Sequence, residues 1–469
     1  MSEHMEIELK LLVSRENLRK MLALDFVRGV IRKDSKKKRR LVSSYYDTED
    51  LAFKNNGIAY RVRDKGDGTF EATVKTSKRS GGGLSERLEL NIPLQDENPV
   101  LEGFMAMGLE EELTSLAPAG VKKLFTVNVE RTTYILDLQG ACAELAIDRG
   151  RISCGRKRDD IDEIEIELLE GDKNALLQFA AALTDKIPMF PEKRSKFTRG
   201  MALMGVEAVL PAAKPLLGGG LLRDELQALL AACGEELLDI QAQLRSGGSC
   251  SGRMLKQAFV AQEKFCSLLA FAGAVAQSDT FCSAGEEPAA LGKRIAKLRL
   301  LKKLQKQWRQ ASDAAGEELL RRSVLGKILE EETAAEEAAL HEAAAAGRMT
   351  AAVYGAAAAA GREQWQSSDY LQGAGTAECC LKRWGEGLED CLDGGREQLL
   401  QIICLADCTA GKTAAKIAGS ARRELRRRSK SMRCGDMLRL LQQLMSGSSG
   451  KYLYRDAGLL SGWLLASGK

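Results

Sequence analysis

Charged and apolar residues alternate one by one in five short segments of the first 170 residues. Residues i, i+2 and i+4 of a β-strand share one face, so each segment predicts a strand with one charged and one aliphatic face. Solvated sheet faces also carry charge, but these faces are nearly pure Glu or nearly pure Arg and Lys. Like charges so close together are tolerated best around a cation. The segments are Glu6-Ile7-Glu8-Leu9-Lys10, Arg61-Val62-Arg63, Glu71-Ala72-Thr73-Val74-Lys75, Arg87-Leu88-Glu89-Leu90 and Glu163-Ile164-Glu165-Ile166-Glu167.

Short strands and turns continue to about Leu203, with two helical stretches among them. Ser14 is a predicted N-cap for a helix from Arg15 to Leu24, and residues 173–183 form a second amphipathic stretch. Clusters of Gly with Asp or Ser predict turns at 65–68, 80–83 and 148–150.

Beyond residue 220 the strand alternation disappears, and Ala, Leu, Glu, Lys and Arg recur at helical spacing. We therefore predict an N-terminal domain at 1–205, a Pro- and Gly-containing linker at 206–220 and a helical domain at 221–469.

Two segments of the predicted helical domain are strongly basic. Helical spacing from Lys293 to Arg309 puts apolar side chains on one face and most cations around it. Both segments could be solvated helix faces or a surface that binds a polyanion, and both alternatives stay open. We expect His341 at the surface. The apolar face comprises Ile295, Leu298, Leu301, Leu304 and Trp308, and the second basic segment holds Arg422, Arg423, Arg426, Arg427, Arg428, Lys430 and Arg433.

Composition excludes several classes of protein. The chain has 469 residues, 45% hydrophobic and 29% charged, as in a globular protein of two or three domains. We find no apolar run approaching the roughly 20 residues of a membrane span and no signal peptide, so we expect a cytoplasmic protein. Twelve Cys without CxxC pairs and two His indicate neither a disulfide framework nor a zinc site. With a net charge of only +4, polyanion binding would require local clusters.

If the aliphatic strand faces pack outwards against helices, the charged faces converge inside a closed antiparallel barrel. An interior of about eight strands is just wide enough for side chains or one small ligand. Unpaired buried ions cost several kcal/mol each, so this interior requires water, metal or a charged ligand. The predicted fold class is α+β, with an eight-stranded antiparallel β tunnel barrel and flanking helices followed by an all-α helical bundle.

The residue types on the charged faces indicate the ligand. Carboxylates without Cys or His suit Mg²⁺ or Mn²⁺. A basic cradle beside such a site suits a chain of phosphates, because Arg and Lys bind the non-bridging oxygens and metal bridges phosphate to protein. The cations are Arg61, Arg63, Lys75, Arg87, Arg131 and Lys196, and the carboxylates are Glu6, Glu8, Glu165 and Glu167.

These segments resemble, in their order, the CYTH or triphosphate tunnel metalloenzyme family. Its ExExK signature is similar to the segment from Glu6 to Lys10. A helical domain after the tunnel is similar to the layout of bacterial inorganic triphosphatases that carry a CHAD domain. The further segments are Tyr45-Tyr46-Asp47-Thr48, Gly57-Ile58-Ala59-Tyr60-Arg61-Val62-Arg63, Thr73-Val74-Lys75, Arg87-Leu88-Glu89, Glu130-Arg131, Leu145-Ala146-Ile147-Asp148-Arg149-Gly150, Glu163-Ile164-Glu165-Ile166-Glu167 and Ser195-Lys196-Phe197-Thr198-Arg199-Gly200.

The resemblance implies a set of site residues. Glu6, Glu8, Glu165 and Glu167 would hold one or two Mg²⁺ or Mn²⁺ ions, with Glu163 as a further candidate. A linear triphosphate would bind Lys10, Arg61, Arg63, Lys75, Arg87, Arg131, Lys196 and Arg199, with Lys10, Arg61 and Glu89 as catalytic candidates. Glu89 or a metal-bound carboxylate could accept the proton of the attacking water. Arg131 and Arg199 could instead be salt-bridged structural residues, and Asp148 could equally fix a turn or touch the metal.

The chain departs from the family pattern in two places. Asn91 stands where many relatives carry a further acid, and the helical half has only His341, outside the basic segments, although CHAD domains are named for histidines. The leading function is hydrolysis of inorganic triphosphate, with docking of polyphosphate or another polyanion to the helical domain. We expect no membrane and no sequence-specific nucleic acid as partners. Nucleoside or thiamine triphosphatase, class IV-type adenylyl cyclase and a non-catalytic polyphosphate-binding scaffold remain alternatives.

Overall fold

The chain forms two compact units, Met1–Ala213 and Lys214–Lys469, which meet inside the segment predicted as a linker. The structure is a computed structural model. It describes residues 3–81, 84–101, 104, 113, 115–206, 215–314, 323–362, 373–385, 395–446 and 451–467.

The N-terminal unit contains a closed antiparallel barrel of eight strands, which confirms the predicted fold class. The strands follow one another around the barrel in the order β5-β4-β3-β2-β6-β7-β8-β1, and β1 also pairs with β5 and so closes it. A two-residue strand, β9, lies beside β1. The strands are β1 Glu3–Leu12, β2 Lys37–Asp47, β3 Ile58–Asp64, β4 Phe70–Gly81, β5 Leu84–Leu94, β6 Lys122–Leu138, β7 Ala141–Cys154, β8 Lys157–Gly171 and β9 Phe190–Pro191.

Helices on the outside of the barrel pack against aliphatic strand faces, as the alternation predicts. Ser14 caps the first helix through the backbone N–H of Asn17. The helix predicted at 173–183 extends to Lys186 and packs against β1, β6, β7 and β8. The helices described in this unit are α1 Arg15–Ala23, α2 Asp25–Val30, α3 Ala52–Asn55, α4 Lys173–Lys186 and α5 Lys196–Leu203.

One predicted turn is wrong. Residues 148–150 lie in the middle of β7, where Asp148 pairs with Arg131 of β6 and Glu163 of β8. The turn at 65–68 does join β3 to β4. Of the turn predicted at 80–83, residues 82 and 83 lie outside the described residues.

The C-terminal unit is helical. The apolar face predicted between Lys293 and Arg309 lies within one long helix, α8, and its five apolar side chains are all buried. The helices described in this unit are α6 Leu222–Arg245, α7 Gly252–Ala276, α8 Thr280–Ala314, α9 Val324–Ala345, α10 Arg348–Arg362, α11 Gly373–Gly385, α12 Gly395–Asp407, α13 Lys412–Met445 and α14 Lys451–Ser467.

The prediction that no apolar run approaches the length of a membrane span is wrong for helix α7. By length and composition α7 alone among the described helices could cross a membrane, and half of its apolar window is buried inside the protein. Phe265, Leu268 and Phe271 of this helix belong to the core of the helical unit. A core helix passes the same test of length and apolarity, so this is weak support for a span.

Many cations of the two basic segments have acidic partners. On α8, Lys297 binds Glu336 of α9 at 2.8 Å and Lys302 binds Glu337 at 2.5 Å. On α13, Arg427 binds Glu424 at 2.6 Å. The side chains of Arg428, Lys430 and Arg433 lie outside the described residues.

The described cysteines are as predicted from their spacing, but the position of the histidine differs from the prediction. The eleven cysteines that the structure describes are all free thiols. His341 was expected at the surface, but it is half-buried, and its Nδ1 lies 2.5 Å from the carbonyl oxygen of Leu244.

Candidate active site

The register of the barrel brings the charged strand faces together inside it. Glu8 of β1 lies directly opposite Glu167 of β8, and Lys10 lies opposite Glu165. The charged interior predicted from the alternation is therefore present. Glu6, Glu8, Lys10, Arg61, Glu163, Glu165 and Lys196 are all less than 10% exposed.

Lys196 occupies the centre of a carboxylate cluster. Its Nζ lies 2.7 Å from Asp148, 2.5 Å from Glu163 and 2.8 Å from Glu165. Burial would lower the pKa of Lys196, but these three carboxylates raise it well above its ordinary value. By their donor atoms the three acids could hold a metal ion. An ammonium group already provides the positive charge there.

Arg131 and Arg199 complete this ion-pair network. Arg131 binds Asp148 at 2.6 Å and also contacts Glu165. Arg199 binds Asp159 at 2.8 Å and Glu163 at 3.0 Å, so both oxygens of Glu163 are engaged by cations. The described contacts of Arg199 are therefore all with protein groups. Because both oxygens of Glu163 already bind cations, Glu163 has little capacity left to bind a metal.

A second network surrounds the ExExK strand. Lys75 binds Glu6 at 2.7 Å and Glu89 at 2.6 Å, while Lys10 lies 3.0 Å from Glu165. Burial would raise the pKa of Glu89, but Lys75 and Arg61 lower it below its ordinary range. The remaining contacts are Lys10 with Glu8 at 3.4 Å, Arg61 with Glu89 at 3.5 Å and Arg87 with Glu8 at 3.7 Å.

One carboxylate of this network has no cationic partner among the described residues, while Glu6 is paired with Lys75. Glu167 makes no ion pair with any residue that the structure describes. Burial, helped by the nearby Glu89 and Glu8, raises its pKa to about 7 against the opposing effect of Lys75. Burial likewise raises the pKa of Glu6 to about 7 in spite of Lys75. A cation bound here would relieve both carboxylates.

The basic side lacks negative charge. Arg63 Nε donates to the neutral Ser43 hydroxyl at 3.0 Å, and within the described chain Arg63 has no acidic partner. Burial lowers its pKa to about 10, helped by Arg61 and Arg131. The Nε of Arg61 is buried without a hydrogen-bond partner, and the Tyr45 hydroxyl bonds elsewhere on the same guanidinium. Arg63 therefore lacks an acidic partner, whereas Arg61 lies 3.5 Å from Glu89.

The residues present fit a divalent metal. Glu6, Glu8 and Glu167 offer hard oxygen donors. Glu6 is paired with Lys75, and Glu165 contacts Lys10, Arg131 and Lys196, whereas Glu167 has no cationic partner among the described residues. By their donor atoms Glu6, Glu8 and Glu167 are therefore candidates for a metal, and Glu167 is the one left unpaired.

Sequence reasoning missed several interior groups. Ser43 and Tyr45 lie on the inner face of β2 opposite Arg63 and Arg61, and the β2 alternation could have indicated them. Asp148 was assigned to a turn but is fully buried among cations. Asn91, the noted departure from the family, bonds Thr73 at 2.7 Å and Glu89 at 3.1 Å. This amide therefore fixes neighbouring inner side chains.

Comparison with known proteins agrees with this interior. Residues 4–201 match the CYTH domain. An inorganic triphosphatase of Haemophilus influenzae is 29% identical over 164 residues, which cover 35% of this chain and 46% of that protein. The match thus spans about half of the length of that curated relative.

Two solved structures show a weaker likeness. A Hippeastrum protein described as an adenylyl cyclase with a dominant triphosphatase activity is 22% identical, with a TM-score of 0.31, over 44% of this chain and 98% of its own. A Pyrococcus horikoshii protein is 22% identical, with a TM-score of 0.28, over 43% and 99%. The family therefore rests on the sequence match at residues 4–201, which shows that the N-terminal unit is a CYTH domain homologous to an inorganic triphosphatase.

Proposed function

We propose that the barrel hydrolyses inorganic triphosphate to pyrophosphate and phosphate with the help of Mg²⁺ or Mn²⁺. One observation carries the proposal: the same interior holds a cation without an acidic partner, Arg63, and a carboxylate without a cationic partner, Glu167, among the described residues. A phosphate chain with a bound divalent ion supplies both missing charges at once.

The chain's own residues divide the work by charge. Arg61 and Arg63 bind non-bridging oxygens of the triphosphate, and Lys10, Lys75, Arg87, Arg131 and Lys196 extend the positive surface around it. Glu6, Glu8 and Glu167 hold the metal. When bound, that metal neutralises charge on the phosphate oxygens and favours ionisation of a water nucleophile. Because guanidinium groups preset in a buried site need no reorganisation, they stabilise the transition state effectively.

Glu89 serves better as an anchor than as a general base. Its lowered pKa makes it a weak proton acceptor near neutral pH. Its contacts with Lys75 and Arg61 hold these two cations in place on β4 and β3. We therefore assign Glu89 to positioning, and Glu6 or Glu167, whose pKa values are raised to about 7, would accept the proton of the attacking water.

Phosphate release from four substrates tests the proposal. Tripolyphosphate, ATP, thiamine triphosphate and long-chain polyphosphate are each incubated with Mg²⁺, Mn²⁺ or EDTA. We expect tripolyphosphate to be hydrolysed fastest and EDTA to stop the reaction. Faster turnover of ATP or thiamine triphosphate would reassign the substrate, and no turnover of any of them would favour a binding scaffold.

Glutamine variants test the metal site. Glu8→Gln removes one donor charge and should lower the rate at least 100-fold at saturating metal. Glu170→Gln, on the exposed end of the same barrel's β8, is the matched control and should keep the wild-type rate. Equal rates for Glu8→Gln and wild type would remove Glu8 from the site.

A further inference from the structure

The first part of β2 carries the densest run of positive charge in the N-terminal unit. Residues 32–40 hold seven Lys and Arg and a single acid, Asp34. All four residues from Lys37 to Arg40 are exposed. Such a run is often only a solvated face, so its placement on the barrel decides whether it can bind anything.

Strand alternation sends these four cations to opposite faces of β2. Arg39 lies directly opposite Arg131 of β6, and Lys37 lies opposite Thr133. Cross-strand partners share one face, so Lys37 and Arg39 lie on the inner face that carries Arg131. Lys38 and Arg40 lie on the outer face, where Lys38 binds Glu130 at 3.0 Å.

The two inner cations lie on β2 beyond the part of the strand that Phe197 of α5 contacts. That helix packs against the other end of β2, where the ring of Phe197 lies 5.8 Å from Tyr45. Strand β3 ends at Asp64, opposite Val42, so β2 continues past it to Arg39 and Lys37. These two exposed side chains therefore lie beyond the end of β3, about 7 Å apart along the strand.

Neither inner cation is neutralised by a neighbour. Lys37 and Arg39 make no ion pair with any described residue. Asp67, in the turn after β3, interacts electrostatically with Arg39 without forming an ion pair. Arg39 also faces another guanidinium, that of Arg131. Asp148 and Glu165 pair with Arg131, so Arg39 is the member of this pair without an acidic partner among the described residues.

We propose that Lys37 and Arg39, here called the rim patch, form an outer binding site for linear inorganic polyphosphate at the mouth of the barrel. The polyphosphate enters over the rim patch, continues past Arg131 and reaches Arg63. Arg131 and Arg63 interact electrostatically inside the barrel. A charged rim raises the local concentration of a polyanion and its rate of association. This inference rests on the proposed function.

Two double variants with the same change of charge test the rim patch. Lys37→Gln/Arg39→Gln removes the two inner cations, and Lys38→Gln/Arg40→Gln removes the two outer ones from the same stretch of strand. At low ionic strength we expect the inner variant to raise KM for tripolyphosphate about tenfold, in the range of electrostatic steering, with kcat within about twofold. The outer variant should change KM less than about twofold.

The dependence on salt gives a second readout. For wild type and the outer variant, kcat/KM should fall steeply as salt rises, and the inner variant should show a clearly shallower fall. Equal effects of both double variants would mean that only net charge matters, and an unchanged inner variant would mean that the rim patch binds nothing. Either result overturns the inference.

Binding to the metal-free protein separates this inference from the proposed function. Tripolyphosphate is titrated calorimetrically into the EDTA-treated full chain and into both variants, whose folding is checked by circular dichroism. Weaker binding by the inner variant alone supports the rim patch even if wild type hydrolyses no substrate. Hydrolysis by wild type with equal binding by both variants would retain the proposed function and reject the rim patch.

Discussion

Within the barrel, the hydroxyl of Ser43 orients the guanidinium of Arg63 without neutralising it. A carboxylate at this position would bind Arg63 more strongly, but it would also repel the phosphate that Arg63 is placed to receive. Tyr45 serves Arg61 in the same way, and its ring is fixed by stacking on Phe125 at 4.9 Å. The neutral hydroxyl of Ser43 therefore preserves the positive charge of Arg63, whereas Arg61 also lies 3.5 Å from Glu89.

Removal of the Ser43 hydroxyl should weaken substrate binding. We expect Ser43→Ala to raise KM for tripolyphosphate about fivefold to tenfold, because one hydrogen bond to a charged group is lost. Ser43→Thr keeps the hydroxyl and should restore most of the affinity. Ser44→Ala, on the opposite face of β2, is the matched control. Steady-state kinetics that show the same KM for Ser43→Ala and Ser44→Ala would contradict this role.

The pKa of Glu167 predicts a pH-dependent stability of the metal-free barrel. Since burial raises this pKa from 4.5 to about 7, the folded state holds the proton more tightly than the unfolded chain. The cost of ionising Glu167 is absent below pH 4.5, grows up to pH 7 and is fully present above it, on the order of 3 kcal/mol. Glu167→Gln should therefore match wild type near pH 4.5 and exceed it by several degrees in Tm at pH 8.

Calorimetry of the EDTA-treated proteins measures this difference. All four tryptophans of the chain lie in the C-terminal unit, so tryptophan fluorescence identifies the unfolding transition of that unit. They are Trp308, Trp365, Trp384 and Trp463. Glu170→Gln on the same strand should show no pH-dependent offset. A constant offset between Glu167→Gln and wild type from pH 4.5 to pH 8 would refute the assignment.

Among the helices, α5 has the closest fit to the barrel. A Cβ on Gly200 would lie 2.2 Å from the ring of Phe125, so only glycine allows this approach. Ser195 caps the helix through the backbone N–H of Thr198, and Lys196 follows directly after the cap. The packing of α5 against Phe125 thus determines the position of the Lys196 ammonium group relative to its three carboxylates.

Gly200→Ala should shift α5 and with it Lys196. Overpacking against Phe125 is expected to cost about 1–3 kcal/mol. Displacement of Lys196 would leave three buried carboxylates without their shared cation, so KM for tripolyphosphate should rise as the Tm of the N-terminal unit falls. Gly29→Ala, in helix α2 with open space around its Cβ, is the matched control and should be neutral or slightly stabilising. If Gly200→Ala left both Tm and KM unchanged, the claim that close packing of α5 on Phe125 positions Lys196 would be contradicted.

Strand elements were predictable where one face is charged and the other aliphatic, because period 2 fixes which residues share the interior. That pattern located β1, β3 and β8 and most inner Arg, Lys and Glu residues. Residues 148–150 were misread because Asp and Gly are typical of turns. In β7, however, Gly150 permits close approach of backbones, since a Cβ there would lie 1.9 Å from the carbonyl oxygen of Asn128.

Partners across the barrel were not predictable from the alternation. Periodicity assigns a residue to a face, but the pairing of Arg39 with Arg131, or of Ser43 with Arg63, depends on the register between strands. The contacts of Lys196 depend in addition on how α5 docks. For this reason the sequence supplied the types of charge inside the barrel but not which of them remain without a partner.

The two units of the chain have separate apolar cores. Clusters around Phe53 and around Phe125 lie within the barrel unit, and those around Phe265 and Trp308 lie within the helical unit. Each core is formed from residues of one unit. Each unit therefore contains the apolar contacts that a domain needs to fold on its own.

This separation predicts that a chain truncated after Val206 keeps triphosphatase activity. Val206 donates its backbone N–H to the carbonyl of Met201 and packs with Phe125 in the barrel unit, so the cut removes no described barrel contact of that cluster. We expect kcat and KM for tripolyphosphate within about twofold of the full chain. Collapse of activity in a folded truncated chain, checked by circular dichroism, would show that the helical unit takes part in hydrolysis.

The same truncation measures what the helical unit adds to polyphosphate binding. If the exposed cations of α13, such as Arg423, bind a polyanion, long-chain polyphosphate should bind the metal-free full chain more tightly than the truncated one, by a factor that shrinks as salt rises. Binding that remains after truncation should fall again in the Lys37→Gln/Arg39→Gln background, because the rim patch lies on the barrel. Equal affinities of the full and truncated chains would assign all polyphosphate binding to the barrel, and the basic helices would then be solvated faces stabilised by partners such as Glu336 and Glu424.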